Sequence, residues 1–128
     1  MFPYVPSFSR EAVAQPDELI DKIDVDAQSI PCSSAVTATR GQVVQAGSDG
    51  IYVNQVAGDG TAAASYAIIA ETITGTITAG QMILAYRYAH GVNPAKIAYD
   101  TAGTTLIRLN SLLAGSSIFL RASTGQNY

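Results

Sequence analysis

The sequence is poor in the groups on which enzymes most often rely. It has no tryptophan, one cysteine and one histidine, and only 13% of its 128 residues are charged, about half the share of an ordinary soluble domain. A single cysteine, Cys32, excludes an internal disulfide, so packing and association must hold the fold; synthesis in a reducing cytoplasm is compatible with this. A single histidine, His90, excludes within one chain any acid–base or metal scheme that needs two imidazoles. No run approaches the ~18 apolar residues that span a bilayer, and no basic start followed by an apolar core marks a secretory signal. The expectation is a protein with no membrane partner that is not secreted.

Charge of the sign that nucleic acid requires is missing too. The formal net charge is −3, and six of the ten acids but only two of the seven bases fall within residues 1–26. No basic stripe exists to neutralise phosphates, so direct nucleic-acid binding is not expected.

Against these absences stand 48% apolar residues, seven tyrosines and 11 glycines, with abundant Thr, Ala and Ser. That mixture suits strands and tight turns better than long helices. With so little charge to cover it, much of the surface is expected to be buried between chains. The length allows one domain with one core. The expected fold class is mainly β: a small barrel or sandwich-like domain with one short C-terminal helix, preceded by an extended N-terminal arm. Residues 1–34 form the arm and a junction, and residues 35–128 the β-rich domain.

The arm opens with three aromatic residues, and its prolines, Pro3 and Pro6, oppose both helix and central strand. Phe2, Tyr4, Val5 and Phe8 would be exposed in a free tail, which makes them candidate partner-binding residues. Addition of such a segment to a partner's open sheet edge is one physical use for it. Short helical turns are possible from Ser9 and Pro16. Asp24-Val25-Asp26 and the run Ile30-Pro31-Cys32-Ser33-Ser34 look like a junction.

Beyond it, residues 35–40 and 42–45 read as strand, separated by Gly41. Gly47-Ser48-Asp49-Gly50 offers a turn that returns the chain as a strand over residues 51–56. Gly58-Asp59-Gly60 is a second turn signal, and the apolar run 66–73 is the best candidate for a central strand. Residues 72–78 alternate Thr with Ile or Gly. In residues 81–90, Met82, Leu84, Tyr86 and Tyr88 share one face and Ile83, Ala85 and Ala89 the other, so both faces are expected to be buried. Leu106, Leu109, Leu112 and Leu113 recur at helical spacing before Gly115 as a stop, and residues 116–122 read as a last strand.

The residues that carry chemistry elsewhere carry little here. Cys32 has no local base to activate it and reads as a bland thiol. The pairs Asp24 with Asp26 and Asp49 with Asp59 lack the oxygen ligands of a calcium loop and read as turn formers. The glycines lack the lysine and the βαβ frame of a phosphate loop. His90 reads as a surface or interface histidine before the Gly91 turn. Arg87 lies in an apolar stretch and calls for a partner, with Glu71 or a neighbouring chain the candidates for a structural ion pair. No catalytic, cofactor or metal site follows, and the expectation is that the protein is not an enzyme.

The order Arg40-Gly41-Gln42-Val43-Val44, then Ala46-Gly47-Ser48-Asp49-Gly50, then Asp59-Gly60-Thr61 with Ala67-Ile68-Ile69-Ala70-Glu71, resembles the lambda-type head decoration proteins of tailed phages. The Gly91-Val92-Asn93 turn and the Leu-rich segment before a terminal strand fit the same pattern. The resemblance spans residues 35–121 and rests on small residues and turn order. It implies a β-rich protein made in the bacterial host cytoplasm that forms homotrimers on the outer capsid surface and binds the major capsid protein. An extended N-terminal segment commonly contacts the shell in that family, and no cofactor is involved. The 34 residues before the core are more than the shorter members carry. Two rival readings are a virion module that binds carbohydrate or a receptor through exposed tyrosines, and a trimeric β enzyme that assembles His90, Asp100 and Arg108 from different subunits.

Overall fold

Alternation of inward and outward residues along the middle of the chain builds a sheet that closes on itself. The computed structural model describes residues 19–20, 25–56 and 65–121. Among the described residues the strands are β1 (Val25–Cys32), β2 (Val43–Ala46), β3 (Tyr52–Asn54), β4 (Ser65–Ile69), β5 (Gln81–Val92) and β6 (Ile118–Leu120), with one α-helix, α1 (Leu106–Ala114), before the last and a single 3-10 turn at Pro94–Lys96. The sheet order is β1-β3-β2-β4-β5-β6, and β1 also pairs with β5. Five strands therefore form a closed ring, and β6 lies parallel to β5 as an appendage.

Every strand of the ring sends alternate residues to one interior. Ile30 and Cys32 of β1, Val44 and Ala46 of β2, Tyr52 of β3, Ala67 and Ile69 of β4, and Ile83 and Ala85 of β5 form one buried cluster. Branched and small side chains fill the bore, as the narrow radius of a five-stranded ring demands. The neighbours of those residues in sequence, Val43, Tyr66 and Ile68, point outward and form a second cluster with Ala89, Val92, Ile118 and the helix residues Leu109 and Leu113. The strand β4, buried on both faces, is the reason the run from Tyr66 is continuously apolar, and its place between β2 and β5 is central.

The helix forms where Leu106, Leu109 and Leu113 make one apolar stripe. The Thr105 side chain caps it by accepting from the Arg108 backbone N–H at 3.1 Å, one of the donors a helix start leaves unpaired. Gly115 ends it in right-handed geometry, and the left-handed residue of the exit is Ser117, φ 64°.

Three sequence expectations change. Val25–Cys32, which reads as a junction, is the strand that closes the ring, paired in register from Val25 opposite Ala89 to Cys32 opposite Gln81. Pro31 is tolerated because the Cys32 carbonyl accepts from Gly80 on the β5 side, so the missing N–H of Pro31 falls on the other edge. Residues 35–40 are not a strand; they and residues 72–78 lay Val36, Ala38 and Ile77 onto the interior cluster and are stitched together by Ile73 N–H to the Ala38 carbonyl, 2.9 Å. Finally, the two faces of β5 are not both buried, since Met82 is 56% exposed and Leu84 37%.

Two bulges on β5 control which side its residues face. Opposite Asp26 and Ala27 stand Tyr88 and Tyr86, so Arg87 is an extra residue, and such an insertion reverses the alternation beyond it. Ile83 and Ala85 face the bore, whereas Ala89 faces the outer cluster. A second irregularity opposite β6 falls at Gly91, φ +80°, a conformation suited to glycine.

Gly41 marks the tightest backbone approach. Its φ is +101°, and a Cβ there would lie 2.5 Å from the Lys96 carbonyl oxygen. Gly50, in the β2–β3 turn, has φ +77° but open space around it. Gly41→Ala is expected to destabilise the fold by about 3 kcal/mol or more, against about 1 kcal/mol for Gly50→Ala, read as shifts of the urea midpoint at unchanged slope.

Candidate interaction surfaces

The surfaces left bare by this packing are the functional candidates. Helix α1 covers the outer wall of the barrel over β4 and the far half of β5, burying Leu109 and Leu113. It leaves the near half of β5 uncovered. There Met82 stands opposite Pro31, and Leu84 opposite Ser29, on the β1 strand, so their side chains share one outer face. None of these four residues is charged. Val53, 40% exposed, adds a further apolar residue on β3, the other strand that pairs with β1.

The boundary between covered and bare wall is fixed by Arg40. Its guanidinium donates to the Ala70 carbonyl at 3.0 Å and to the Tyr86 hydroxyl at 2.6 Å, and lies 5.4 Å from the centre of the Tyr86 ring. A half-buried cation that is hydrogen-bonded in this way is satisfied where it sits, and it holds Tyr86 against the outer cluster.

The expected pair of Glu71 and Arg87 is not what the structure builds. The Glu71 carboxylate accepts from the Leu84 backbone N–H at 2.8 Å, while the Leu84 carbonyl accepts from Ala70 at 2.9 Å. Glu71 therefore supplies a side-chain acceptor at the ladder position where β4 has ended. Arg87 is exposed at the bulge, so the low-dielectric setting that called for a partner is absent.

Beyond the bulge a different surface emerges. Tyr88 and His90, two residues apart, share a face, and Phe119 of β6 stands opposite His90. The His90 ring lies 4.8 Å from that of Phe119 and 6.2 Å from that of Tyr88. His90 is exposed and Phe119 36% exposed. This aromatic row lies on the side of β5 away from α1, because the intervening Ala89 faces the helix. Sequence reading missed both surfaces, since period-2 alternation cannot reveal that a bulge divides one strand into two orientations; Arg87 amid apolar neighbours was the available signal.

Buried polar groups serve the scaffold. Gln55, 2% exposed, donates to Thr104 Oγ1 at 3.1 Å and to the Val56 carbonyl at 2.8 Å, and accepts from the Asp100 N–H at 2.8 Å. This ties the loop before α1 to the end of β3. Asp100 lies in that loop and Arg108 on the exposed side of α1. Phe2, Tyr4, Val5 and Phe8 lie outside the described residues, as do Asp24 and Asp59. Among the described residues no group of three or more His, Cys, Asp or Glu is placed to hold a metal ion, and no helix is long and apolar enough to cross a membrane.

Cys32 is fully buried in the bore, its thiol directed at the Ile30 carbonyl at 3.6 Å. Burial pushes its pKa above the ordinary value of 9.0, because the thiolate is disfavoured away from water. The unfolded chain then loses this proton first as pH rises, so the associated stability is complete below pH 9.0 and declines above it. Cys32 is expected to react with a thiol reagent only as fast as the protein unfolds. The alkaline fall in melting temperature should be shallower in Cys32→Ala.

The chain matches no family model and no curated protein sequence.

Proposed function

We propose that the chain is a phage capsid decoration, or cement, protein that trimerises on the outer surface of the head and holds the shell against the pressure of packaged DNA. The observation that carries this reading is the bare apolar wall at Met82 and Leu84 on an otherwise closed and filled barrel. A wall of that kind, without charge at its cross-strand positions, is a contact surface in search of a similar one. The sequence resemblance to the lambda-type decoration proteins supports the same reading independently.

In this proposal two further copies meet each chain through the wall, and the major capsid protein meets the residues before Leu19. Each grip becomes intramolecular once the first has formed, so modest contacts sum to tight attachment. Binding the assembled lattice in preference to free shell subunits stabilises the lattice by linkage. The mechanism needs no cofactor and no turnover.

Co-sedimentation with undecorated phage heads, together with the heat stability of those heads, tests the proposal. The full-length chain is expected to pellet with the heads and raise their disruption temperature. Met82→Asp combined with Leu84→Asp should weaken attachment at least tenfold, while Ile107→Asp, at the most exposed apolar position of α1 (86%), should leave it unchanged. Failure of the full-length chain to bind its heads would refute the proposal, and glycan binding in its place would favour the receptor-module reading.

A further inference from the structure

We infer that β1 carries an open ladder edge, and that a second copy of the chain adds its own β1 to it, antiparallel and centred on Gln28. The inference does not depend on the cement reading, since the contact is made by main-chain groups before the protein meets any other partner.

The direction of the β1 hydrogen bonds follows from what Leu84 does. Its N–H donates to the Glu71 carboxylate and its carbonyl accepts from Ala70, so both of its main-chain groups face the β4 side of β5. Along a strand these groups alternate between the two edges, which turns those of Ile83 and Ala85 toward β1. Opposite them stand Ile30 and Gln28, and these residues therefore exchange the ladder bonds. Ala27, Ser29 and Pro31 direct their main-chain groups to the other edge. A proline, which has no N–H, belongs in that set.

That edge has little to pair with. On its side lies β3, which runs parallel to β1 and meets it at one rung, Cys32 opposite Tyr52, where the Ser33 N–H donates to the Tyr52 carbonyl at 2.9 Å. From that rung β3 runs on past the end of β1. Among the described residues no strand therefore lies beside Ala27 and Ser29, and both are exposed. Their N–H and C=O groups form the template that a sheet edge presents to another chain. Neither position carries the charged side chain that commonly guards such an edge.

An antiparallel edge complements itself about a twofold axis. With the axis at Gln28, Ala27 of one copy stands opposite Ser29 of the other, and each such pair exchanges two hydrogen bonds. All the free groups of both residues are then used. Moving the axis toward Ile30 would set Pro31 against Ala27 or Ser29 and forfeit a donor, so the proline selects the register. The length fits as well. In this register Val25, the first residue of β1, stands opposite Pro31, one residue short of the Cys32 rung that β3 occupies. A longer strand from another protein would run on into that rung. The pairing uses main-chain groups at the edge, whereas the wall at Met82 and Leu84 offers side chains on the outer face, so the two contacts are separable.

Sedimentation equilibrium and amide hydrogen exchange of the full-length protein, without phage heads, test this. The protein is expected to sediment as an assembly with an even number of chains. Across a hundredfold rise in concentration, exchange of the Ala27 and Ser29 amides should slow at least tenfold. Ser29→Pro, which removes a donor that the barrel does not use, should halve the mass of the assembly with unchanged circular dichroism. Should this variant fail to fold, Ala27→Lys with Ser29→Lys, which keeps the backbone and sets like charges opposite one another across the edge, should give the same halving. Met82→Asp with Leu84→Asp should leave the protection of residues 27 and 29 in place, and its loss there would assign the association to the wall instead. A monomer or a trimer at every concentration, or exchange at residues 27 and 29 that does not vary with concentration, would overturn the inference.

Discussion

The antiparallel ladder between β1 and β5 is the constraint from which the remaining features follow. It closes the ring, and it brings Ile30 and Cys32 into the bore beside Ile83 and Ala85. Without it the interior cluster would open to water along one side, and the buried area that stabilises a barrel this small would be lost with it. The ladder also dictates the bulge at Arg87, because only an extra residue on β5 lets the strand continue from the bore wall onto the surface that carries β6. One strand thereby serves the bore at Ile83 and Ala85, shows an apolar wall at Met82 and Leu84, and presents aromatic rings at Tyr88 and His90.

Legibility in the sequence tracked how local the determinants are. The helix was readable because its leucines repeat at helical spacing and Gly115 follows them. The β2–β3 hairpin was readable because its turn residues announce it, with Asp49 accepting from the Ile51 N–H at 3.0 Å and Gly50 at positive φ. The central position of β4 followed from an apolar run that only a strand covered on both faces requires. By contrast, Asp26, Gln28, Ser29 and Pro31 of β1 have the composition of a loop, and this segment is a strand because β5, some fifty residues later, supplies its partners. Non-local pairing leaves no local trace. Residues 35–40 mislead for the complementary reason: Val36 and Ala38 are apolar because they pack onto the interior cluster from a loop, with no ladder involved.

The candidate surfaces were less legible than the fold. That the protein is short of charge was plain, and it pointed to surfaces meant for contact, but their location depends on what α1 covers and on where β5 is bulged. Arg87 reads from the sequence as a charge in an apolar stretch calling for Glu71 or a neighbouring chain, when it is the exposed mark of the bulge, and Glu71 is the acceptor for a backbone donor left by the end of β4. In both cases the residue was correctly singled out and its neighbour misassigned, since a strand position alone does not specify which side is dry.

Leu19 and Arg121, the outermost described residues, are both bonded at the end of β5: the Leu19 carbonyl accepts from the N–H of Asn93, just past the strand, and the Arg121 N–H donates to the Val92 carbonyl. This has a mechanical consequence. Tension applied between the two ends would peel β1 and β6 from β5 one rung at a time, the weakest way to load a sheet. Tension applied between the incoming chain and the wall at Met82 and Leu84 would instead pull β1 along its own axis against β5, loading its eight residues in shear together. The body is thus soft to forces that pass from end to end and stiff to forces that pass from the N-terminal side into the barrel wall.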